Sequence, residues 1–94
     1  MTTILDIVRD IDTLDPDLTI YARSPWTCES EAILAVEPED GKTDPPEAVS
    51  KGVNYFIEVD IAKEFLDDWQ NSVDRKIPLL ERCERLVYYA EHDC

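Results

Sequence analysis

The apolar residues of the C-terminal third recur at helical spacing, and this pattern constrains the fold more than any other feature of the chain. Asp60 is suited to cap a helix whose every fourth residue is apolar. Its apolar positions are Ile61, Phe65, Trp69 and Val73, with Ala62 and Leu66 on the same side. After a DRKI connection, Pro78 favours the first position of a last helix. The apolar stripe of that helix comprises Leu79, Cys83, Leu86, Val87 and Ala90. Trp69, at the centre of the first of these two stripes, is expected in the core.

Three segments upstream have the apolar patterning of β-strands. Residues 18–23 (LTIYAR) alternate apolar and polar side chains, as a half-buried strand does. Residues 31–36 (EAILAV) are apolar on both faces, which is typical of a more central strand. Residues 53–59 (VNYFIEV) alternate again, with Ile57 on one face and Phe56 on the other. The sequence therefore predicts three strands before the two helices.

A short helix is predicted at the start of the chain. Residues 4–11 (ILDIVRDI) carry apolar side chains at helical spacing, and Thr3 with Asp6 forms a capping pair. The element order is thus αβββαα, without internal repeats or the alternation of a parallel nucleotide-binding sheet. We predict a single α+β domain over residues 1–94. It contains a three-stranded antiparallel meander, with the N-terminal helix and the two C-terminal helices packed mainly on one face.

Residues 37–52 (EPEDGKTDPPEAVSKG) interrupt this patterning. The segment contains three prolines, both glycines of the chain and five acidic residues. Such a composition disfavours regular structure. The sequence predicts an exposed acidic loop here.

The charge of the chain limits its partners. Nine Lys and Arg residues against 22 Asp and Glu residues give a net charge of −13, of which residues 1–50 carry −9. Phosphate-rich nucleic acids and anionic membrane surfaces would be repelled, whereas a basic protein surface would be attracted. The apolar content of 44% is enough for a packed core. We therefore expect a folded protein that binds neither nucleic acid nor membrane.

The cysteine content favours a reducing compartment. Cys28, Cys83 and Cys94 are an odd number at spacings unlike a disulfide framework. The N-terminus lacks an export signal, and the longest apolar runs, residues 32–36 and 86–90, are too short to span a bilayer. The expected location is the cytoplasm.

The residues that could hold a metal or a cofactor are poorly spaced for either task. A zinc site would have to unite the three cysteines with His92, the only histidine. A calcium loop is unsupported because its glycine and closing glutamate are missing around the clustered aspartates. Those aspartates are Asp10, Asp12, Asp15 and Asp17. Gly41 and Gly52 form no phosphate-binding motif. We predict no metal and no cofactor.

The sequence offers few groups for catalysis. Carboxylate pairs such as Asp67 with Asp68 could act as acid and base if burial separated their pKa values, but both are expected on a solvated helix face. Glu58 and Asp60 form a second pair that could act as acid and base. A reactive thiol at Cys28 is the other catalytic hypothesis. We expect a non-catalytic protein, with these enzyme hypotheses ranked below binding functions.

An interaction surface explains the remaining candidate residues better than catalysis does. Trp26 lies in a polar, proline-containing segment, where it either folds back over the sheet or serves as an exposed anchor. On a helical wheel Tyr88 points away from the last helix's apolar stripe. Acidic residues would complete the surface: Glu29, Glu31, Glu37, Glu39, Asp40, Asp44 and Glu47.

Two functions follow from these features. The first is an acidic domain that binds a basic surface of a protein partner, for example an inhibitor or immunity-type protein that masks a basic active site. The alternative is a homo-oligomer, such as a homodimer, that binds a small ligand in a cleft lined by Tyr and Trp.

Overall fold

A computed structural model describes residues 1–38 and 44–92 of the chain. It confirms the α+β architecture, with a three-stranded antiparallel sheet, an N-terminal helix and two C-terminal helices. The elements in chain order are α1 (Ile4–Arg9), β1 (Thr19–Ala22), β2 (Ala32–Ala35), α2 (Pro46–Lys51), β3 (Asn54–Glu58), α3 (Val59–Asn71) and α4 (Leu79–His92).

Helix α1 begins at the predicted capping pair. The Asp6 amide donates to Thr3 Oγ1 at 3.2 Å, and the Thr3 amide donates to Asp6 Oδ2 at 3.0 Å. Each side chain thus satisfies a backbone donor that the first turn leaves unpaired. The α-helix ends at Arg9, two residues earlier than predicted, and a 3-10 turn follows at Ile11–Thr13. In that turn, the Thr13 hydroxyl donates to the Asp10 carbonyl at 2.8 Å.

The strand order is β2-β1-β3, so the expected meander is wrong and β1 is the central strand. Ile20 of β1 pairs with Leu34 of β2 on one side and with Ile57 of β3 on the other. Strand β2 was expected to be more central because it is apolar on both faces, yet it is an edge strand. Its pattern has another cause, since Leu34 packs against the main core and Ile33 against a smaller cluster on the opposite face.

A register shift changes which side of β3 is buried. Tyr21 pairs with Tyr55, but the preceding residue of β1, Ile20, pairs with Ile57. Phe56 therefore lies at a bulge without an opposite residue. Phe56 and Ile57 both join the main core, whereas simple alternation predicted opposite faces for them.

The main core lies between one face of the sheet and helices α1, α3 and α4. Helix α1 packs against α4, and α3 packs against both α4 and β3. The largest fully buried side chains of this core are Ile4, Val8, Ile11, Ile20, Val59, Leu66, Cys83 and Leu86. Burial of these groups is the principal term that stabilises the fold.

Helix α2 corrects the predicted loop at 37–52. Pro46 occupies the first turn, where a missing amide costs nothing, and Gly52 ends the helix with φ of 70°, in the left-handed region that glycine favours. The helix covers the second face of the sheet, where Ala48 packs with Tyr21. Tyr21 is consequently buried, although strand alternation placed it on a solvated face.

Helix α3 starts immediately after β3. Val59 is its first residue, with Glu58 at the capping position, so the predicted cap at Asp60 is wrong. The Val59 amide donates to the Leu18 carbonyl at 3.0 Å, which ties the helix start to the sheet. Trp69 is half-buried at the core margin, beside Phe65.

Candidate functional site

A groove of about 580 Å³ lies between α4 and the segment that connects β1 to β2. Helix α4 provides one wall, and the opposite wall is formed by α1 and the connecting segment. The lining residues are Leu5, Trp26, Thr27, Cys28, Glu29, Leu80, Glu84, Val87, Tyr88 and Glu91. We call this feature the α4 groove. It brings together three residues that the sequence predicted for an interaction surface: Trp26, Glu29 and Tyr88.

The connecting segment is held in place by its own hydrogen bonds. The Ser30 hydroxyl donates to the Pro25 carbonyl at 3.1 Å and accepts from the Thr27 amide at 2.9 Å. The Leu5 amide donates to the Cys28 carbonyl at 3.0 Å, which fixes the segment to α1. This wall of the α4 groove is therefore formed before any partner binds.

Trp26 satisfies its polar atom within the chain and still lines the groove. Its indole Nε1 donates to the Ala22 carbonyl at 3.2 Å, and its ring meets Phe56 edge-on. The side chain is half-buried and packs against the main core. Of the two orientations considered for Trp26, the structure shows the ring folded back toward the sheet. Part of it remains available to a groove ligand.

Tyr88 is the exposed aromatic residue of the groove lining. Its side chain is 55% exposed, which confirms the outward orientation predicted from the helical wheel. The ring lies 4.4 Å from the His92 ring, and the Arg85 guanidinium carbon lies 5.3 Å from its centroid. These contacts stabilise the phenol ring on the helix surface. An exposed tyrosine held in this way is a suitable contact residue because little side-chain freedom remains to be lost on binding.

Carboxylates surround the apolar lining of the groove. Glu29 lies on the connecting segment, and Glu84 and Glu91 lie on α4. Among the described residues that line the groove, none is basic. Neither Glu29 nor Glu84 joins an ion pair within residues 1–38 and 44–92. The groove therefore combines an apolar floor with a negative rim.

Two free thiols lie in contact at this site. Cys28 is half-buried in the groove lining, whereas Cys83 is fully buried on the core side of α4. Burial and a hydrogen bond with the Cys28 thiol raise the pKa of the Cys83 thiol far above its ordinary value. Cys83 is thus a core residue, as its position on the apolar stripe predicted.

The other acidic residues predicted for the interaction surface lie away from the groove. Glu31 accepts from Arg23 at 2.8 Å and pairs with Lys51 at 3.6 Å. The hydrogen bond from Arg23 lowers the pKa of the Glu31 carboxyl. A further set on the α2 side of the sheet raises the pKa of the buried Tyr21 phenol, after the larger effect of burial. That set comprises Glu37, Asp44 and Glu47. Glu39 and Asp40 fall outside the described residues.

The structure describes most of the residues named in the metal and catalytic hypotheses. Within the described ranges, no three His, Cys, Asp or Glu side chains come together as possible metal ligands. Cys94 lies outside those ranges. Asp67 and Asp68 are exposed on α3, as predicted, and Asp60 is exposed beside the half-buried Glu58.

Sequence reasoning placed Glu84 beside Tyr88 on the outer face of α4 but missed the rest of this wall. Glu84, Val87 and Glu91 lie, with the exposed Leu80 and Tyr88, within an arc of about 100° on a helical wheel. Leu80 is a large apolar residue outside the predicted stripe, and its proximity to Tyr88 on the wheel was the available signal. The residues of the opposite wall had no such signal because their contact with α4 depends on the tertiary fold.

No family model, curated protein or solved structure matches this chain. Among residues 1–38 and 44–92, no helix has the length and apolar character needed to cross a bilayer.

Proposed function

We propose that this protein is a small, acidic, non-catalytic interaction domain whose α4 groove binds a basic surface of a protein partner. The observation that carries the proposal is the groove itself, which combines Trp26 and Tyr88 with a rim of three carboxylates. Aromatic side chains provide large contact areas in interfaces, and carboxylates attract and orient cationic groups.

The absence of a histidine from the described lining supports a binding role over thiol catalysis. Cys28 is the only thiol there, and its neighbour Cys83 cannot serve as a general base because its thiol retains its proton. The proposal includes partners of the inhibitor or immunity type, in which the acidic domain masks a basic active site. Three cysteines at spacings unlike a disulfide framework further support a reducing location, the cytoplasm.

The alternative is a small ligand bound in the same groove by a homo-oligomer. The groove volume of about 580 Å³ favours this candidate because it falls within the usual range of ligand pockets. The two candidates differ in their dependence on ionic strength, since exposed charge pairs weaken as salt screens them.

Affinity capture with matched variants tests the proposal. Wild type, Tyr88→Ala and Tyr55→Ala are compared on host lysate at low and high salt; Tyr55 is a second exposed tyrosine, on strand β3 outside the groove. We expect a basic protein to bind wild type and Tyr55→Ala, to be lost from Tyr88→Ala, and to be released as salt rises. Binding of the purified partner then gives the loss of affinity directly.

Two results would contradict the proposal. Equal retention of every partner by Tyr88→Ala and wild type would exclude the α4 groove as the interaction surface. Stable oligomers that bind no protein, together with thermal stabilisation by a small molecule that Tyr88→Ala abolishes, would favour the ligand-binding alternative.

A further inference from the structure

We infer that the occupant of the α4 groove is an amphipathic helix that carries two cations seven residues apart, with apolar residues between them. This inference rests on the proposed function and specifies the partner. It derives from the order of side chains along α4. The residues that line the groove are apolar in one helical turn and acidic in the next.

The wall that α4 contributes is long enough to match a helical ligand. It extends from Leu80 to Glu91, which corresponds to about 16 Å along the helix axis. Leu80 is 55% exposed at one end of this wall and gives it an accessible apolar side chain. Three turns of helix are therefore available for side-by-side packing.

The acidic residues define the spacing of the complementary cations. Glu84 and Glu91 are two helical turns apart, about 10 Å along the axis, and both line the groove. A second helix that packs alongside α4 repeats its own side chains at the same interval. Lysine or arginine at positions i and i+7 of that helix can therefore meet both carboxylates.

The apolar residues define what lies between those cations. Val87 and Tyr88 occupy the turn between Glu84 and Glu91, and Trp26 faces the groove from the opposite wall. Leucine or another large apolar residue at i+3 and i+4 of the ligand helix would reach this apolar stretch. The resulting ligand pattern is cation, two apolar residues and cation on one helix face.

An extended segment matches this arrangement less well than a helix does. In a β-strand, about 10 Å corresponds to three residues, and side chains three apart point to opposite faces. A strand with cations three residues apart would therefore direct only one of them toward the groove, and cations two or four apart on one face would be spaced about 3 Å too closely or too widely. The helical pattern places both cations and the apolar pair on one side.

A designed peptide tests the inference with the full chain. The probe is an acetylated and amidated helix of about 16 residues with Lys at i and i+7, Leu at i+3 and i+4, and Ala and Gln elsewhere. Because this pattern reads the same in both directions, it tests parallel and antiparallel packing together. Calorimetry gives its affinity, which we expect to fall as salt rises.

Three control peptides isolate the features that matter. One replaces both Lys with Glu, one moves the second Lys to i+5, and one carries a central Pro that prevents helix formation. We expect each control to bind at least about tenfold more weakly than the probe. Equal binding of the proline or displaced-lysine peptide would overturn the helical inference.

Variants of the protein complete the experiment. Glu84→Lys should reduce binding of the probe by about tenfold or more, whereas Glu64→Lys, the same charge change at an exposed site on α3 outside the groove, should have a much smaller effect. Equal losses in both variants would show attraction by net charge alone and overturn the inference. If no peptide binds while Tyr88→Ala still abolishes partner capture, the helical ligand is wrong and the proposed function stands.

Discussion

The indole ring of Trp26 meets the ring of Phe56 edge-on, with 4.9 Å between ring centroids and 82° between ring planes. Phe56 belongs to the buried core, and Trp26 lines the α4 groove. Edge-on aromatic contacts contribute about 0.5–1.5 kcal/mol beyond the burial of area. The wall of the groove is therefore packed directly on the core of the sheet.

Removal of the Phe56 ring should destabilise the whole domain. We expect Phe56→Ala to lower the free energy of unfolding by about 3–5 kcal/mol, because the variant leaves a cavity in the main core. Urea denaturation measures the change. Tyr55→Ala is the control, since Tyr55 is 41% exposed and contacts Tyr21 edge-on at 6.2 Å. Equal destabilisation by both variants would contradict the assignment of Phe56 to the core side of the bulge.

The end of α2 depends on the backbone conformation of Gly52. Its φ of 70° is strained for residues with a side chain, so Gly52→Ala should cost about 1–2 kcal/mol of stability. An added Cβ would lie 3.4 Å from Arg23 Nη1, an ordinary contact, so the backbone is the main cause. Thermal denaturation should show a smaller loss for Gly52→Asn, because asparagine tolerates this conformation better. Similar stabilities for the Ala and Asn variants would contradict this explanation.

The thiols of Cys28 and Cys83 should differ in reactivity. In a Cys94→Ser background, we expect a maleimide to modify Cys28 in the folded protein and Cys83 only after unfolding, because Cys83 is fully buried. Peptide mapping by mass spectrometry identifies the modified residue. A Cys28→Ser variant provides the control, and it should remain unmodified until denaturant is added. Equal modification rates for the two thiols in the folded state would exclude the observed packing.

Stability should decline at alkaline pH. Burial, followed by the negative charges of nearby acidic residues, raises the pKa of the Tyr21 phenol. The folded state therefore retains a proton that the unfolded state releases near the ordinary tyrosine value of about 10. This contribution to stability is fully present below about pH 10 and is lost as pH rises further.

A phenylalanine substitution separates this effect from other alkaline titrations. Urea midpoints measured between about pH 8 and pH 11 should fall less steeply for Tyr21→Phe than for wild type. Tyr88→Phe is the matched control because its phenol is largely exposed. The buried Cys83 thiol contributes a loss of the same sign in all three proteins, starting near the ordinary thiol pKa. Identical slopes for Tyr21→Phe and wild type would refute the role of Tyr21.

The elements defined by local patterns were predictable from the sequence. The Thr3 and Asp6 pair, the stripe of α4 and the outward position of Tyr88 all depend on residues within a few turns of one another. The stripe of α3 was only partly correct, because Ala62 and Leu66 are buried whereas Ile61 is 37% exposed. Helix α2 was missed because its prolines and acids are typical of loops. Pro46 is compatible with a first turn, however, and Gly52 with a helix end. Its stabilisation comes from the contact between Ala48 and Tyr21, which is tertiary.

The strand order and the groove depend on contacts between distant parts of the chain. An apolar strand such as β2 indicates burial on both faces, but it does not distinguish a central strand from an edge strand covered on both sides. The α4 groove likewise requires Cys28 of the connecting segment to lie against Cys83 of α4. No local pattern relates these two positions. The sequence therefore predicted individual contact residues but not the groove that they share.

The packing of α1 against α4 has a consequence for synthesis of the chain on the ribosome. Helix α1 is synthesised before the three strands, whereas α4, which packs against it, is synthesised after them. During most of translation, the apolar side chains of α1 and the adjoining sheet face must remain uncovered or be held by a chaperone. Rare codons or pauses before residue 79 would prolong that exposure, so the yield of folded protein should depend on how rapidly the ribosome completes α4.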